Sequence, residues 1–248
     1  MEKEQKNIIE VYNLHKRFGG NIVYQGATLS VKKGEVLTLI GGSGCGKSVM
    51  LKHLIGLLCP DEGKILFDGQ DITLLSEKEF LPIRKRIAML FQGGALFDSL
   101  STFENIAYPL QEHTNLSSEE IRRKVKDVLE LVGLDGKQNV YPHDLSGGMK
   151  KRVGLARAIV LEPEVVLFDE PTTGLDPYNT RKINEAIINL NKEKKMTCLI
   201  VTHDMPSTFE VTDRIAMVHE GRIIIEDQKE KVKENDIVRS FITGEKVF

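Results

Sequence analysis

Apolar runs bounded by turn residues recur along this chain and alternate with stretches of helical period. Six runs rich in β-branched and other apolar residues predict strands: Val36–Ile40, Lys64–Phe67, Ile87–Phe91, Val165–Phe168, Met196–Thr202 and Arg214–His219. Ser117 with Glu120 three residues later predicts a capped helix start. Ile121, Val125, Val128, Leu129 and Val132 carry that helix at the proper spacing to a natural stop at Gly133. A second amphipathic stretch runs from Tyr178 to Lys194, with Ile183, Ile187 and Leu190 on one face. Strands alternating with helices imply a mostly parallel sheet in an α/β layer architecture.

Two stretches depart from that alternation. From Gln92 to Leu155 the pattern is mostly helical, with no strong strand after Phe91, which predicts a helical subdomain inserted into the α/β core. Ile8–Leu39 reads as short strands with turns at Gly19-Gly20 and Lys33-Gly34, which predicts an antiparallel β layer. The expected organisation is one domain over 8–248: core and β layer at about 8–91 and 156–227, the helical subdomain at about 92–155, and a short tail at 228–248. No internal repeat or low-complexity segment interrupts it.

Composition narrows the class. The chain has 248 residues, 41% apolar and 28% charged, which suits a globular domain with a substantial core. The net charge of -2 carries no basic bias toward nucleic acid. Cys45, Cys59 and Cys198 make an odd, unpaired set that suits a reducing compartment rather than a disulfide framework. The polar, acidic start is unlike a secretory signal, and no apolar run approaches the roughly 20 residues a membrane span needs. Work at a membrane would therefore require a partner that crosses it.

Gly41-Gly42-Ser43-Gly44-Cys45-Gly46-Lys47-Ser48 has the spacing of a phosphate-binding loop. Glycines let backbone N–H groups approach phosphate oxygens, and the following helix presents its positive end to the same anion. The predicted strand Val36–Ile40 and a helical stretch over Val49–Leu58 flank the loop as that function demands. In such a loop Lys47 reaches the β- and γ-phosphates and Ser48 binds Mg²⁺. Val165–Phe168 runs into Asp169 and Glu170, two carboxylates at the carboxyl end of an apolar strand, where ligands gather in parallel sheets. Asp169 suits the metal and Glu170 suits a general base for water, although an acidic helix cap would look the same in isolation. Cys45 is either a thiol activated by Lys47 or a small residue tolerated in the loop.

Leu145-Ser146-Gly147-Gly148-Met149 resembles the signature motif of the ATP-binding cassette (ABC) ATPases. It opens an expected helix at Met149–Val160, so it makes a second anion-binding helix start in one chain. The family resemblance resolves the duplication: two subunits pack head to tail, and each ATP lies between one phosphate loop and the partner's signature. The family order continues with Gln92, similar to the glutamine that contacts Mg²⁺ and the attacking water. Gly174-Leu175-Asp176 is similar to the segment that crosses the dimer interface, and His203 to the histidine that contacts the γ-phosphate. Phe18 matches the aromatic that stacks on adenine, with Tyr12 and Tyr24 as competitors. The resemblance runs from Ile8 to about Asp227 and implies a P-loop NTPase (RecA-like) core.

A single cassette without a coiled-coil insertion points to a transporter subunit rather than to DNA repair, chromosome maintenance or translation. The run from Met89 to Leu100, with Glu104-Asn105-Ile106-Ala107-Tyr108-Pro109-Leu110, resembles the ATPases of Mla/MCE-type phospholipid transporters. Met149 in place of the usual signature glutamine and His203-Asp204-Met205-Pro206 fit the same group. That resemblance implies ATP and Mg²⁺ as ligands and a homodimer on the cytoplasmic face of the inner membrane. It also implies an integral permease and an MCE-domain lipid-binding protein as partners, with no nucleic acid. An importer of amino acids or ions, lipoprotein release and a non-transport ATPase are the alternatives. Some members carry a C-terminal extension that embraces the partner ATPase; any such clasp is expected to be short or absent here.

Overall fold

The structure is a computed structural model that describes residues 6–244. In chain order it forms β1 (Asn7–Phe18), β2 (Asn21–Lys32), β3 (Val36–Ile40), α1 (Lys47–Leu54), β4 (Glu62–Phe67), β5 (Gln70–Asp71), α2 (Glu77–Arg86) and β6 (Ile87–Leu90). There follow α3 (Thr102–His113), α4 (Ser118–Leu131), α5 (Gly147–Ile159), β7 (Val165–Asp169), α6 (Pro177–Lys194), β8 (Thr197–Val201) and α7 (Met205–Val211). The described residues close with β9 (Arg214–His219), β10 (Arg222–Gln228), α8 (Lys229–Glu234) and α9 (Asp236–Thr243). Two compact units result: one runs to Leu81 and resumes at Thr197, and the other is Pro82–Met196.

In the first unit β9, β3 and β8 lie parallel, with β10 antiparallel on the outer edge of β9. Every residue of β3 and β8 is buried, as expected of parallel strands covered on both faces. A separate antiparallel sheet has the order β2-β1-β4-β5. The expected antiparallel layer is therefore present, but its strands are not short. β1 and β2 run 12 residues each and stay paired through several register shifts that bend them. Local turn signals mark where a strand ends and say little about how long a bulged strand persists.

The stretch after Gln228 folds as α8 and α9, which bury Val232 and Val238 against Ile40, Ile215 and Met217. Asn235 caps α9 by accepting from the backbone of Ile237 and Val238.

In the second unit β6 and β7 pair in parallel, with Leu90 opposite Phe168. Helices α3, α4 and α5 pack on one another after β6. α4 begins with the expected capping box at Ser117 and Glu120, and α3 begins with another at Ser101 and Glu104. Among the described residues no helix is long and apolar enough to cross a membrane.

Candidate active site

The first unit carries the phosphate loop. β3 ends at Ile40, the loop Gly41–Gly46 follows, and α1 begins at Lys47. Gly46 sits at φ +102° at the N-cap, and a Cβ there would come within 2.6 Å of Val23. A Cβ on Gly41 would lie 2.5 Å from the Val218 carbonyl, so neither position admits a side chain. Lys47 is buried, and its ammonium donates to the Gly41 and Gly42 carbonyls at 2.9 and 3.0 Å. That holds the charge across the mouth of the loop. Ser48 follows on the first turn of α1, and Ser43 and Gly44 form the tip.

Tyr24 is fully buried, and its hydroxyl donates to the Gly46 carbonyl at 2.7 Å. Burial pushes its pKa up, so it remains a neutral donor. This position removes Tyr24 from the candidates for stacking on a base and makes it a prop beneath the loop. Phe18, at the end of β1, and Tyr12 are both exposed. Lys16 lies 5.4 Å over the Phe18 ring, whereas the Tyr12 hydroxyl donates to Glu10. Cys45 is half-buried, and burial raises its pKa more than the neighbouring Lys47 lowers it, so the thiol is not activated. In the same unit β3 and β8 pair with Leu39 opposite Val201. Gly41 and His203 each lie two residues further on, so both leave the carboxyl ends of adjacent parallel strands.

The second unit repeats that arrangement. Gln92 lies two residues beyond Leu90 and Glu170 two beyond Phe168, again at the carboxyl ends of paired parallel strands. Gln92 is exposed, and β6 ends at Leu90, one residue short of the expected Phe91. Asp169 is the buried last residue of β7. Glu170 adopts φ +47°, an uncommon backbone state outside glycine, and its carboxylate accepts from the Thr173 hydroxyl at 2.8 Å. Lys151 reaches from α5 to the carbonyls of Glu170 and Thr173.

Ser146 caps α5 by accepting from the Met149 N–H, so the helix begins at Gly147, earlier than Met149. Gly147 is open, but a Cβ on Gly148 would lie 2.3–2.6 Å from the Asn179 side chain. Asn179 is fixed in turn: its backbone and side-chain amides donate to Asp176 at 3.0 and 2.5 Å, and its carbonyl accepts from Arg152 at 3.3 Å. Those bonds from Asn179 hold the Asp176 carboxyl below its usual pKa. The signature and Asp176 thus meet through Asn179.

The segment after Gln92 is clamped from two sides. Arg157 of α5 donates to the carbonyls of Gly94 and Ala95 at 3.0 and 2.8 Å. Buried Asn105 of α3 donates to the carbonyls of Phe97, Leu100 and Ser101 and accepts from the Phe97 N–H. Phe97 and Tyr108 stack edge to face and stay exposed.

Ser48 in the first unit offers a hydroxyl oxygen, and Gln92 and Asp169 in the second offer amide and carboxylate oxygens, each of a kind that binds Mg²⁺. Among the described residues no group of three or more His, Cys, Asp or Glu could hold a metal ion.

A phosphate loop between a buried parallel strand and a helix, with carboxylates ending another buried strand, defines a P-loop ATPase. The ABC transporter family model matches residues 24–173. The chain is 43% identical over 242 residues to the intermembrane phospholipid transport system ATP-binding protein MlaF of Haemophilus influenzae, covering 97% of this chain and 92% of that one. It is 44% identical over 241 residues to the probable ribonucleotide transport ATP-binding protein mkl of Mycobacterium leprae, covering 96% of this chain and 70% of that one. A solved dimeric post-hydrolysis state of the ATP-binding cassette MJ0796 with ADP and Pi superposes with a TM-score of 0.82 at 32% identity, covering 89% of this chain and 98% of that one. The chain belongs to the ABC transporter ATP-binding family and is an ABC-type ATPase.

Proposed function

We propose that this chain powers phospholipid transport of the Mla/MCE type, as a homodimer held on the cytoplasmic face of the inner membrane by an integral permease. The observation that carries this reading is the 43% identity with MlaF across 97% of the chain. The clamped segment from Gln92 to Leu100 supports it, because a fixed surface with exposed Phe97 suits a partner that must be pushed.

Each residue has a role set by its chemistry. Phe18 stacks on adenine, and the N–H groups from Gly41 to Ser48 face the phosphates, with Lys47 on the β- and γ-phosphates. Ser48, Gln92 and Asp169 would hold Mg²⁺, which when bound neutralises charge on the phosphates. Glu170 polarises the attacking water, and His203 contacts the γ-phosphate. Ser146, Gly147, Gly148 and Asp176 act on the nucleotide of the partner subunit. Catalysis rests on positioning and charge stabilisation.

The test is a pull-down of the tagged chain from detergent-solubilised membranes. Co-purification of an integral membrane subunit with an MCE-domain protein supports the reading. A membrane subunit without an MCE protein points to another cargo, ribonucleotides among them. ATPase stimulation by DNA or ribosomes with no membrane partner would overturn transport altogether.

A further inference from the structure

Lys151 is 6% exposed, and its ammonium donates to two backbone carbonyls: Glu170 at 3.0 Å and Thr173 at 2.7 Å. Burying an ammonium is unfavourable unless its charge is used, so the site calls for a reason. The two carbonyls bracket the turn that follows β7. That turn is closed by the Thr173 N–H on the Glu170 carbonyl at 3.4 Å, and the Thr173 hydroxyl holds the Glu170 carboxylate at 2.8 Å. Glu170 itself is in the left-handed region at φ +47°, a state that persists in a non-glycine residue only when its surroundings enforce it. The lysine reaches that turn from α5, whose N-cap is Ser146 of the signature. Burial lowers the Lys151 pKa, and the nearby Glu170 charge offsets only part of that.

We infer that Lys151 is a positioning residue for hydrolysis: it grips the Glu170–Thr173 turn from the signature helix and thereby sets the pose of the Glu170 carboxylate. The inference rests on the reading of Glu170 as the base. A catalytic group misplaced by about an ångström loses turnover far more than it loses substrate binding. Lys151→Met keeps the length of the side chain and removes the ammonium.

The test compares wild type, Lys151→Met, Lys151→Arg and Glu170→Gln by steady-state ATPase and by calorimetric ATP binding. The expected result for Lys151→Met is a kcat at least tenfold lower, with KM and Kd for ATP within twofold of wild type. Lys151→Arg, which can also reach two carbonyls, recovers a substantial part of the kcat. If Lys151→Met fails to fold, Lys151→Gln keeps a neutral donor and is expected to show the same split, less severely. Wild-type kcat in Lys151→Met or Lys151→Gln, beside an inactive Glu170→Gln, overturns the role of Lys151 and leaves the base intact. Equal losses of kcat and ATP affinity that follow the folded fraction overturn it too. Turnover retained by Glu170→Gln would sink both the base and its positioning residue.

Discussion

Replacing Gly148 with alanine adds one methyl at a point where the Asn179 side chain is already 2.3–2.6 Å away. Asn179 cannot easily yield, because Asp176 and Arg152 hold it through three hydrogen bonds. Forcing a methylene-sized group into a packed site costs about 1–3 kcal/mol. Alanine returns up to about 1 kcal/mol of helix propensity over glycine, since α5 has already begun at Gly147. The net expectation is a loss of about 1–2 kcal/mol, which lowers Tm by about 2–8 °C for a chain of this size. The assay is a double-mutant cycle of Gly148→Ala and Asn179→Gly by thermal and guanidinium unfolding. The double variant should be more stable than the sum of the single effects by about 1–3 kcal/mol, the clash relieved. Strict additivity, or a Gly148→Ala protein as stable as wild type, would refute the packing argument. The prediction concerns stability alone, so it holds whatever the variant does to ATP turnover.

Three further outcomes follow from the same geometry. Tyr24→Phe removes the hydroxyl from beneath Gly46; a loss of about 1 kcal/mol in stability and about fivefold in ATP affinity is expected, and calorimetry unable to distinguish it from wild type would show that the prop is idle. His53 on α1 is buried beside Tyr24 with Nδ1 bonded to the Val49 carbonyl, and burial depresses its pKa below the usual 6.5. The folded state then binds fewer protons than the unfolded chain, so the contribution of His53 is complete above about pH 6.5 and is lost as pH falls below it. His53→Leu should flatten that limb of a stability–pH profile, and an unchanged slope would count against a buried neutral imidazole. Thiol labelling near neutral pH should modify exposed Cys59 well before Cys45, with ATP protecting Cys45; faster labelling of Cys45 would mean that Lys47 activates it after all.

Much of the site was legible because its chemistry is written in contiguous residues. Gly41–Ser48, Ser146–Gly148 and Asp169-Glu170 announce themselves by spacing, and the structure places each at a strand end or helix start. What stayed hidden is the support. Tyr24 lies 22 residues from the carbonyl it holds, and Lys151 lies 19 residues from Glu170. No local period marks such pairs, since a buried tyrosine reads as core and a lysine in a helix reads as a solvated face. The same reason hid Asn179, whose importance appears only when a Cβ is imagined on Gly148. β10 carried a fair signal, three isoleucines after Glu220-Gly221, but its place as an edge strand required the partner β9.

The central claim is that ATP hydrolysis by this chain moves phospholipid. It is tested most directly in proteoliposomes that hold the complex purified through this chain, using a fluorescent phospholipid whose transfer to an acceptor is followed with time. The account predicts ATP-dependent transfer with wild type and no transfer with Glu170→Gln, which still binds ATP. Transfer that proceeds equally with Glu170→Gln, or steady hydrolysis by the wild-type complex with no phospholipid movement, would contradict it.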